Sequence, residues 1–327
     1  MQVVQLSQYG DEDVLEVVER PVPQPVAGRV RVQVTARAVN PVDLGTRAGA
    51  LAGLVPDLTF PAVLGWDFAG TLLDDAPVAA GVTAPDAAAG TLAAGTRVAG
   101  FVPWFGEAAG NGSYADVVVV DPAWVAPVPD GVTDAEATVV GVNGLTGAHA
   151  VDLLARLVGN LDGATVLVTG ASGAVGAAAV REAVGRGARV LAVGSTGDDA
   201  YVAGLGAEVV PRTDAAGIAK AARAVVPDGV DAAFNAGLAS HELLDAVRDG
   251  GGFVSATGAY VPEPARGVAV DGVYVQPDAV RLAALLRGAA AGIVPARVAE
   301  ELPLADAADA HRRLAKGGLR GKLVLVS

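Results

Sequence analysis

The sequence predicts an α/β chain: a central, doubly wound parallel sheet joined to a second domain rich in β-strand. Three observations predict it. Apolar runs near residues 166, 190, 208, 230 and 253 alternate with helical stretches, which is the pattern of a parallel sheet with helices on both faces. The first two runs enclose a glycine turn, Gly170-Ala171-Ser172-Gly173-Ala174-Val175-Gly176. Ahead of them, residues 1 to 122 carry strand signals broken by Pro and Gly.

Val14 to Val18 and Val30 to Val34 alternate or run apolar, and Pro21-Val22-Pro23-Gln24-Pro25 between them suppresses helix. Asn40-Pro41 starts a turn, with Asp43, Arg47 and Gly49 beyond. Leu64 to Gly70, Thr96 to Val102 and the valine run after Gly112-Ser113-Tyr114-Ala115 are further strands. Residues 76 to 95, rich in Ala, Gly and Pro, form a long surface loop or loose hairpin. Pro127-Val128-Pro129 punctuates the chain, and Thr133 with Glu136 makes a capping box. This places one domain over 1–122, completed by about 267–327, and a nucleotide-binding domain over 123–266. The C-terminal part brings a helix through Ala305 to Ala315, Gly317-Gly318, and a closing strand from Lys322 to Val326.

The glycine turn carries the chemistry. A pyrophosphate rests on the first amides of a helix, where unpaired N–H groups and the positive end of the helix dipole meet it. Gly173 permits that approach, and Gly176 lets the helix pack close to the strand; Ala171 in place of the first usual glycine makes the fingerprint a variant. The end of the second strand selects the dinucleotide. An acid there would bind the ribose 2′-OH of NAD and repel a 2′-phosphate, whereas this chain has Gly194, Ser195 and Thr196. NADP(H) is therefore the expected cofactor, despite Asp198 and Asp199 in the following loop. Arg212 is the nearest candidate cation, with a solvated surface arginine as the alternative.

Composition sets the limits. The chain of 327 residues is 52% hydrophobic, yet Gly, Pro, Asp and Arg interrupt every run that approaches membrane-spanning length. Its N-terminus lacks a basic region followed by an apolar stretch, so cytoplasmic residence is the expectation. A net charge of −13 argues against nucleic acid and anionic membrane as partners and leaves small molecules. There is no cysteine, and His149, His241 and His311 are far apart, so no metal is expected. His149 reads as a buried structural residue, His241 and His311 as helix-surface residues.

Taken together the motifs resemble those of the medium-chain dehydrogenase/reductase superfamily, specifically its zinc-independent quinone oxidoreductase branch. The matching residues are Val39 to Asp43 with Arg47 and Gly49, Gly65 to Gly70, Gly112 to Ala115, Gly144-Leu145-Thr146, Ala171 to Gly176, and Arg320-Gly321-Lys322. The resemblance implies a GroES-like β-rich catalytic domain built from both chain ends and a central Rossmann domain, with the active site in the cleft between them. It also implies that Asn40, Asp43 and Thr146 lie near the nicotinamide, that Ala174, Val175 and Gly176 touch the pyrophosphate, and that Lys322 reaches the cofactor. Ser195 and Thr196 would face the adenosine ribose. Homodimers pairing along the Rossmann sheet edge are usual in the family, and the matching edge strand here is Val273-Tyr274-Val275. The chain departs from the family at Gly45, where many members carry a tyrosine, at Asp198, which replaces a loop lysine, and at Asn143.

Without cysteine ligands, metal-assisted alcohol oxidation is disfavoured. The remaining chemistry is hydride delivery from NADPH to an electrophilic acceptor, a quinone or an α,β-unsaturated carbonyl, which needs positioning and a hydrogen bond or two. Catalytic candidates are Asn40, Asp43, Asn143 and Thr146. Ser172, Asn235 and Gly258 complete the cofactor set. Trp66, Trp104 and Tyr260, with Phe105, are either the wall of an apolar pocket or ordinary core. Enoyl-thioester reduction, or nucleotide binding with little turnover, are the alternatives.

Overall fold

Elements form where the alternating runs dictate. The computed structural model describes residues 1–83, 90–104, 110–237, 241–256 and 261–327. In chain order the first part contains β1 (Gln2–Leu6), β2 (Leu15–Glu19), β3 (Val30–Ala38), α1 (Pro41–Arg47), β4 (Ala62–Val63), β5 (Asp67–Leu72), β6 (Ala76–Pro77), β7 (Thr91–Leu92), β8 (Arg97–Phe101), β9 (Val117–Val120), β10 (Val125–Pro127) and α2 (Asp134–Val139). The middle part contains α3 (Leu145–Val158), β11 (Thr165–Thr169), α4 (Ala174–Gly185), β12 (Arg189–Val193), α5 (Asp199–Gly204), β13 (Glu208–Val209), α6 (Ala215–Val225), β14 (Val230–Asn235), β15 (Val247–Ser255) and β16 (Ala269–Gly272). Last come α7 (Ala279–Ala290), β17 (Val298–Pro303), α8 (Ala307–Lys316) and β18 (Lys322–Val326). Among the described residues no helix is long and apolar enough to cross a membrane.

The chain divides into two units. One comprises Met1–Val142, Gln276–Gly292 and Ala296–Ser327, and the other Asn143–Val275 with Ile293–Pro295. In the first, the path β10-β8-β5-β3-β18-β17 forms one sheet, with β9 also paired to β3, and β2-β1-β4 forms a second. Along β3, Val30, Val32 and Val34 turn into a core shared with Phe68, Leu72, Val98 and Val118, as period-two alternation requires. β18 lies antiparallel to β3 and parallel to β17, so the end of the sequence is woven into this sheet. The change of unit comes later than the punctuation near residue 122 suggests. β10 pairs with β8 and α2 packs on β3 and β5, so the first unit runs on to Val142. Within the 76 to 95 stretch, β6 and β7 pair as a short hairpin.

The second unit is a parallel sheet of order β13-β12-β11-β14-β15-β16. Numbered from β11 this is 3-2-1-4-5-6, the doubly wound order, with its switch point between β11 and β14. Both faces are covered. Val166 and Val168 pack with α3 and α4 on one side, and Leu167 packs with Ile218 and Ala222 of α6 on the other. The edge strand is β16 rather than Val273-Tyr274-Val275, because its partner β15 ends at Ser255, opposite Gly272. The Val273 amide still reaches the sheet, donating to the Ser255 carbonyl at 2.9 Å, while Tyr274 is 72% exposed.

Candidate functional site: a cofactor turn and a buried lysine–carboxylate cluster

In the second unit, β11 ends at Thr169 and the chain turns through Gly170 to Gly173, which stands at the N-cap of α4. Gly173 has no side chain and is exposed, so the first amides of α4 are bare to an incoming group. The tight packing that Gly176 predicts is present. A Cβ there would lie 2.2 Å from the Gly170 carbonyl oxygen, so any side chain would push α4 off the turn. At the end of β12, the Ser195 amide donates to Ser172 Oγ at 2.6 Å, and Arg212 Nη1 donates to Ser195 Oγ at 3.1 Å. The structure thus brings Ser172, Gly173, Gly194, Ser195 and Arg212 to one end of the sheet, with Thr196 exposed beside them and Asp198 buried. At the switch point, Thr169 Oγ1 donates to Asn235 Oδ1 at 2.9 Å, which fixes the carboxyl ends of β11 and β14 where this fold takes its ligands.

Asn143 and Thr146 are both buried at the start of α3. The next residue, Gly147, packs so tightly on α4 that a Cβ would lie 2.7 Å from the Val175 carbonyl oxygen, which sets the first turn of α3 beside Val175. His149 is half-buried on the same helix. Gly258 and Tyr260, like Phe105, lie outside the described residues.

The first unit holds Asn40, Asp43 and Lys322. Asn40 caps α1 with Pro41 as the first helical residue, and its backbone N–H donates to Asp43 Oδ2 at 2.8 Å. The Asp43 carboxylate also accepts from the Gly65 amide at 3.2 Å. The Asn40 side chain points elsewhere: Nδ2 donates to Asp67 Oδ2 at 2.7 Å, and Oδ1 accepts from Lys322 Nζ at 2.5 Å. Asp67 Oδ1 accepts from the Val142 amide at 2.5 Å. Burial pushes both carboxyls up to about 7, against the hydrogen bonds they accept and the charge of Lys322. Burial likewise pulls Lys322 down to about 8, against the two carboxylates. The cluster can therefore hold or release a proton near neutral pH.

Asp67 belongs to this cluster although no site role follows for it from the sequence pattern. The available signal was one acid inside an otherwise apolar strand, Leu64 to Gly70, because a charge there must be paired or cost several kcal/mol, roughly. His311 is a correction. Expected on a helix surface, it is fully buried, and its Nε2 lies 3.0 Å from the Tyr114 hydroxyl. Burial, with the nearby Arg47 charge, pulls its imidazole down to about 3, and burial pushes the Tyr114 hydroxyl well above its ordinary value. Arg47 pairs with Glu12 at 2.8 Å. Of the aromatic candidates, Trp104 is core: it is fully buried and its indole N–H donates to the Val63 carbonyl at 2.8 Å. Trp66 stacks on Phe101 with centroids 6.4 Å apart and is 6% exposed.

A doubly wound sheet with a bare glycine turn, preceded and followed in sequence by a β-rich unit, defines a dehydrogenase class. The family model described as Alcohol dehydrogenase GroES-like domain matches residues 26–130, and the one described as Zinc-binding dehydrogenase matches residues 205–325. The chain belongs to the medium-chain dehydrogenase/reductase superfamily. It is similar to the chloroplast envelope quinone oxidoreductase homolog of Arabidopsis thaliana, 32% identical over 64% of this chain and 60% of the relative. It is also similar to a trans-enoyl reductase of Aspergillus flavipes, 31% identical over 60% of this chain and 55% of the relative. The chain thus spans little more than half the length of these relatives. The structure of the quinone oxidoreductase from Coxiella burnetii superposes with a TM-score of 0.82 over 100% of this chain and 99% of that one, at 22% identity, which shows the fold. Zinc does not fit the residues present. The chain has no cysteine, and among the described residues no three His, Asp or Glu side chains group so as to hold a metal ion.

Proposed function

We propose that this chain is a zinc-independent reductase that delivers a hydride from NADP(H) to an acceptor that is already electrophilic, a quinone or an α,β-unsaturated carbonyl. The observation that carries the reading is the bare α4 N-terminus at Gly173 with the Ser172–Ser195–Arg212 chain beside it. The α4 amides suit a pyrophosphate, and Ser195 with Arg212 offers a hydroxyl and a guanidinium to a 2′-phosphate where an NAD-selective site would carry an acid. When bound, the nicotinamide supplies the hydride. The chain's own residues bind and orient: Ser172 to Gly176, Gly194 to Thr196, Arg212 and Asn235 hold the nucleotide, and Asn40, Asn143, Thr146 and Lys322 present polar groups to the reacting end. Asp43 keeps Asn40 in place through its backbone, and the lysine–carboxylate cluster holds a proton near neutral pH. The working unit is taken as a homodimer paired along the edge at β16, with the exposed Tyr274 just beyond the strand.

The similarity to a fungal trans-enoyl reductase supports a second reading, in which the acceptor is an enoyl thioester. One assay separates the two: NADPH and NADH oxidation followed by absorbance against a benzoquinone, a naphthoquinone, a 2-alkenal and an enoyl-CoA. Turnover of the quinones or the alkenal with NADPH is expected. Turnover confined to the enoyl-CoA would establish the second reading, and NADPH binding without any turnover would remove both.

A further inference from the structure

Three parts of the chain converge on Asp67, a residue that none of the binding roles above requires. Its side chain is fully buried, and each carboxylate oxygen meets a different donor: Oδ2 the Asn40 amide at 2.7 Å, Oδ1 the Val142 backbone N–H at 2.5 Å. The first bond orients a side chain. Since Asn40 Oδ1 accepts from Lys322 Nζ at 2.5 Å, its amide is gripped at both ends, by a cation on the acceptor side and a carboxylate on the donor side. A flipped amide would set NH₂ against ammonium and carbonyl against carboxylate. The Asp43 carboxylate takes the backbone N–H of Asn40 and the Asp67 carboxylate its side-chain amide, so the two acids divide the work.

The second bond shapes the backbone. Val142 immediately precedes Asn143, and Gly141 before it has φ −46° and ψ −111°, outside helical values within an otherwise helical stretch, Val140–Gly144. A Cβ on Gly141 would lie 2.3 Å from Asp67 Oδ1, so the kink gives the carboxylate its room. The turn that follows carries Asn143 and leads into Thr146.

We propose that Asp67 is a positioning residue, one carboxylate that fixes both the Asn40 amide and the Gly141–Val142 kink and so holds the Asn40 side chain in the orientation that hydride transfer needs. The inference rests on the reductase reading above. It requires a carboxylate specifically: asparagine at this position would turn an NH₂ toward one of the two donors, and that bond would be lost.

The test compares the wild-type chain, Asp67→Asn, Asn40→Ala and the double variant, with a quinone acceptor and NADPH, alongside NADPH affinity by nucleotide fluorescence and folding by circular dichroism. Asp67→Asn is expected to lower kcat by about 10- to 100-fold, as misalignment does, while the NADPH Kd stays within about threefold because the Gly173 turn is untouched. The double variant is expected to be no slower than Asn40→Ala by more than the loss assignable to the kink, so the two losses do not multiply. An unchanged kcat, fully multiplied losses, or a Kd increase that accounts for the whole effect overturns the inference. Gly141→Ala is the second handle if Asp67→Asn does not fold. It keeps the acid but crowds Oδ1, and a folded Gly141→Ala chain with wild-type kcat overturns the inference as well. If the wild-type chain turns over no acceptor, the reductase reading falls and takes this inference with it.

Discussion

The turn at Gly173 and the cluster around Asn40 lie in different units and prepare for a ligand in opposite ways. The turn offers backbone: its decisive residues are glycines, Gly176 packs on Gly170 only six positions away, and Gly173 at the helix N-cap is exposed. The cluster offers side chains that are buried, charged and drawn from remote parts of the chain, with Asn40 and Lys322 separated by 282 positions. Backbone amides need no desolvation of a formal charge, so the turn is cheap to build and its affinity follows from local geometry. Buried ions must be fully partnered, and the cluster therefore makes any alteration costly.

The contrast can be broken at its strongest point first. Gly173→Asp puts a carboxylate where the pyrophosphate would rest and should weaken NADPH binding about a thousandfold or more, ~4 kcal/mol, without unfolding the chain. Fluorescence titration checks this, and unaltered affinity would remove the turn as the cofactor site. Next is Lys322→Met, which leaves the carboxylates without their cation and should cost about 3 kcal/mol of stability at pH 8. Its pH dependence sharpens the point. Both carboxyls are raised to about 7 from 3.8, so between those values the folded chain binds more protons than the unfolded one, and their contribution to stability declines as pH rises through that window. Lys322, lowered to about 8 from 10.5, acts in the opposite sense and makes stability rise with pH between those values. The penalty of Lys322→Met should therefore shrink toward pH 5, where the carboxyls are protonated; urea unfolding that gives the same loss at pH 5 and pH 8 would contradict the charge account. The smallest effect is expected at the exposed Arg212. Arg212→Ala should lower kcat/KM for NADPH about tenfold, ~1.4 kcal/mol, and leave NADH unaffected. Equal loss with both nucleotides would mean that Arg212 does not read the 2′-phosphate.

The same contrast decides what the sequence discloses. The strands of the second unit, the glycine turn and the Thr133–Glu136 capping box depend on neighbours within a few residues, and all are formed as their local patterns require. The Ser172–Ser195–Arg212 chain was partly legible because strand ends gather at one edge of a parallel sheet. Residues whose environment is set from afar are the least legible. His311 is flanked by Arg312 and Arg313 and reads as surface, but Tyr114, 197 positions earlier, holds it inside. Trp104 reads as a possible pocket wall until the Val63 carbonyl takes its indole N–H. Asp67 is hidden for the same reason: its strand is plain in the sequence, while Lys322, which shares its burial, comes from the far end of the chain.

The place of β18 in the sheet of the first unit has a consequence for synthesis. The second unit is drawn almost wholly from Asn143–Val275, so nearly everything it needs has been translated before α7 begins. The first unit, by contrast, takes a strand from beyond the whole of the second: β18 fills the place beside β3 and carries Lys322 to Asn40 as its first residue. One strand thus supplies a sheet partner and the cluster's cation together.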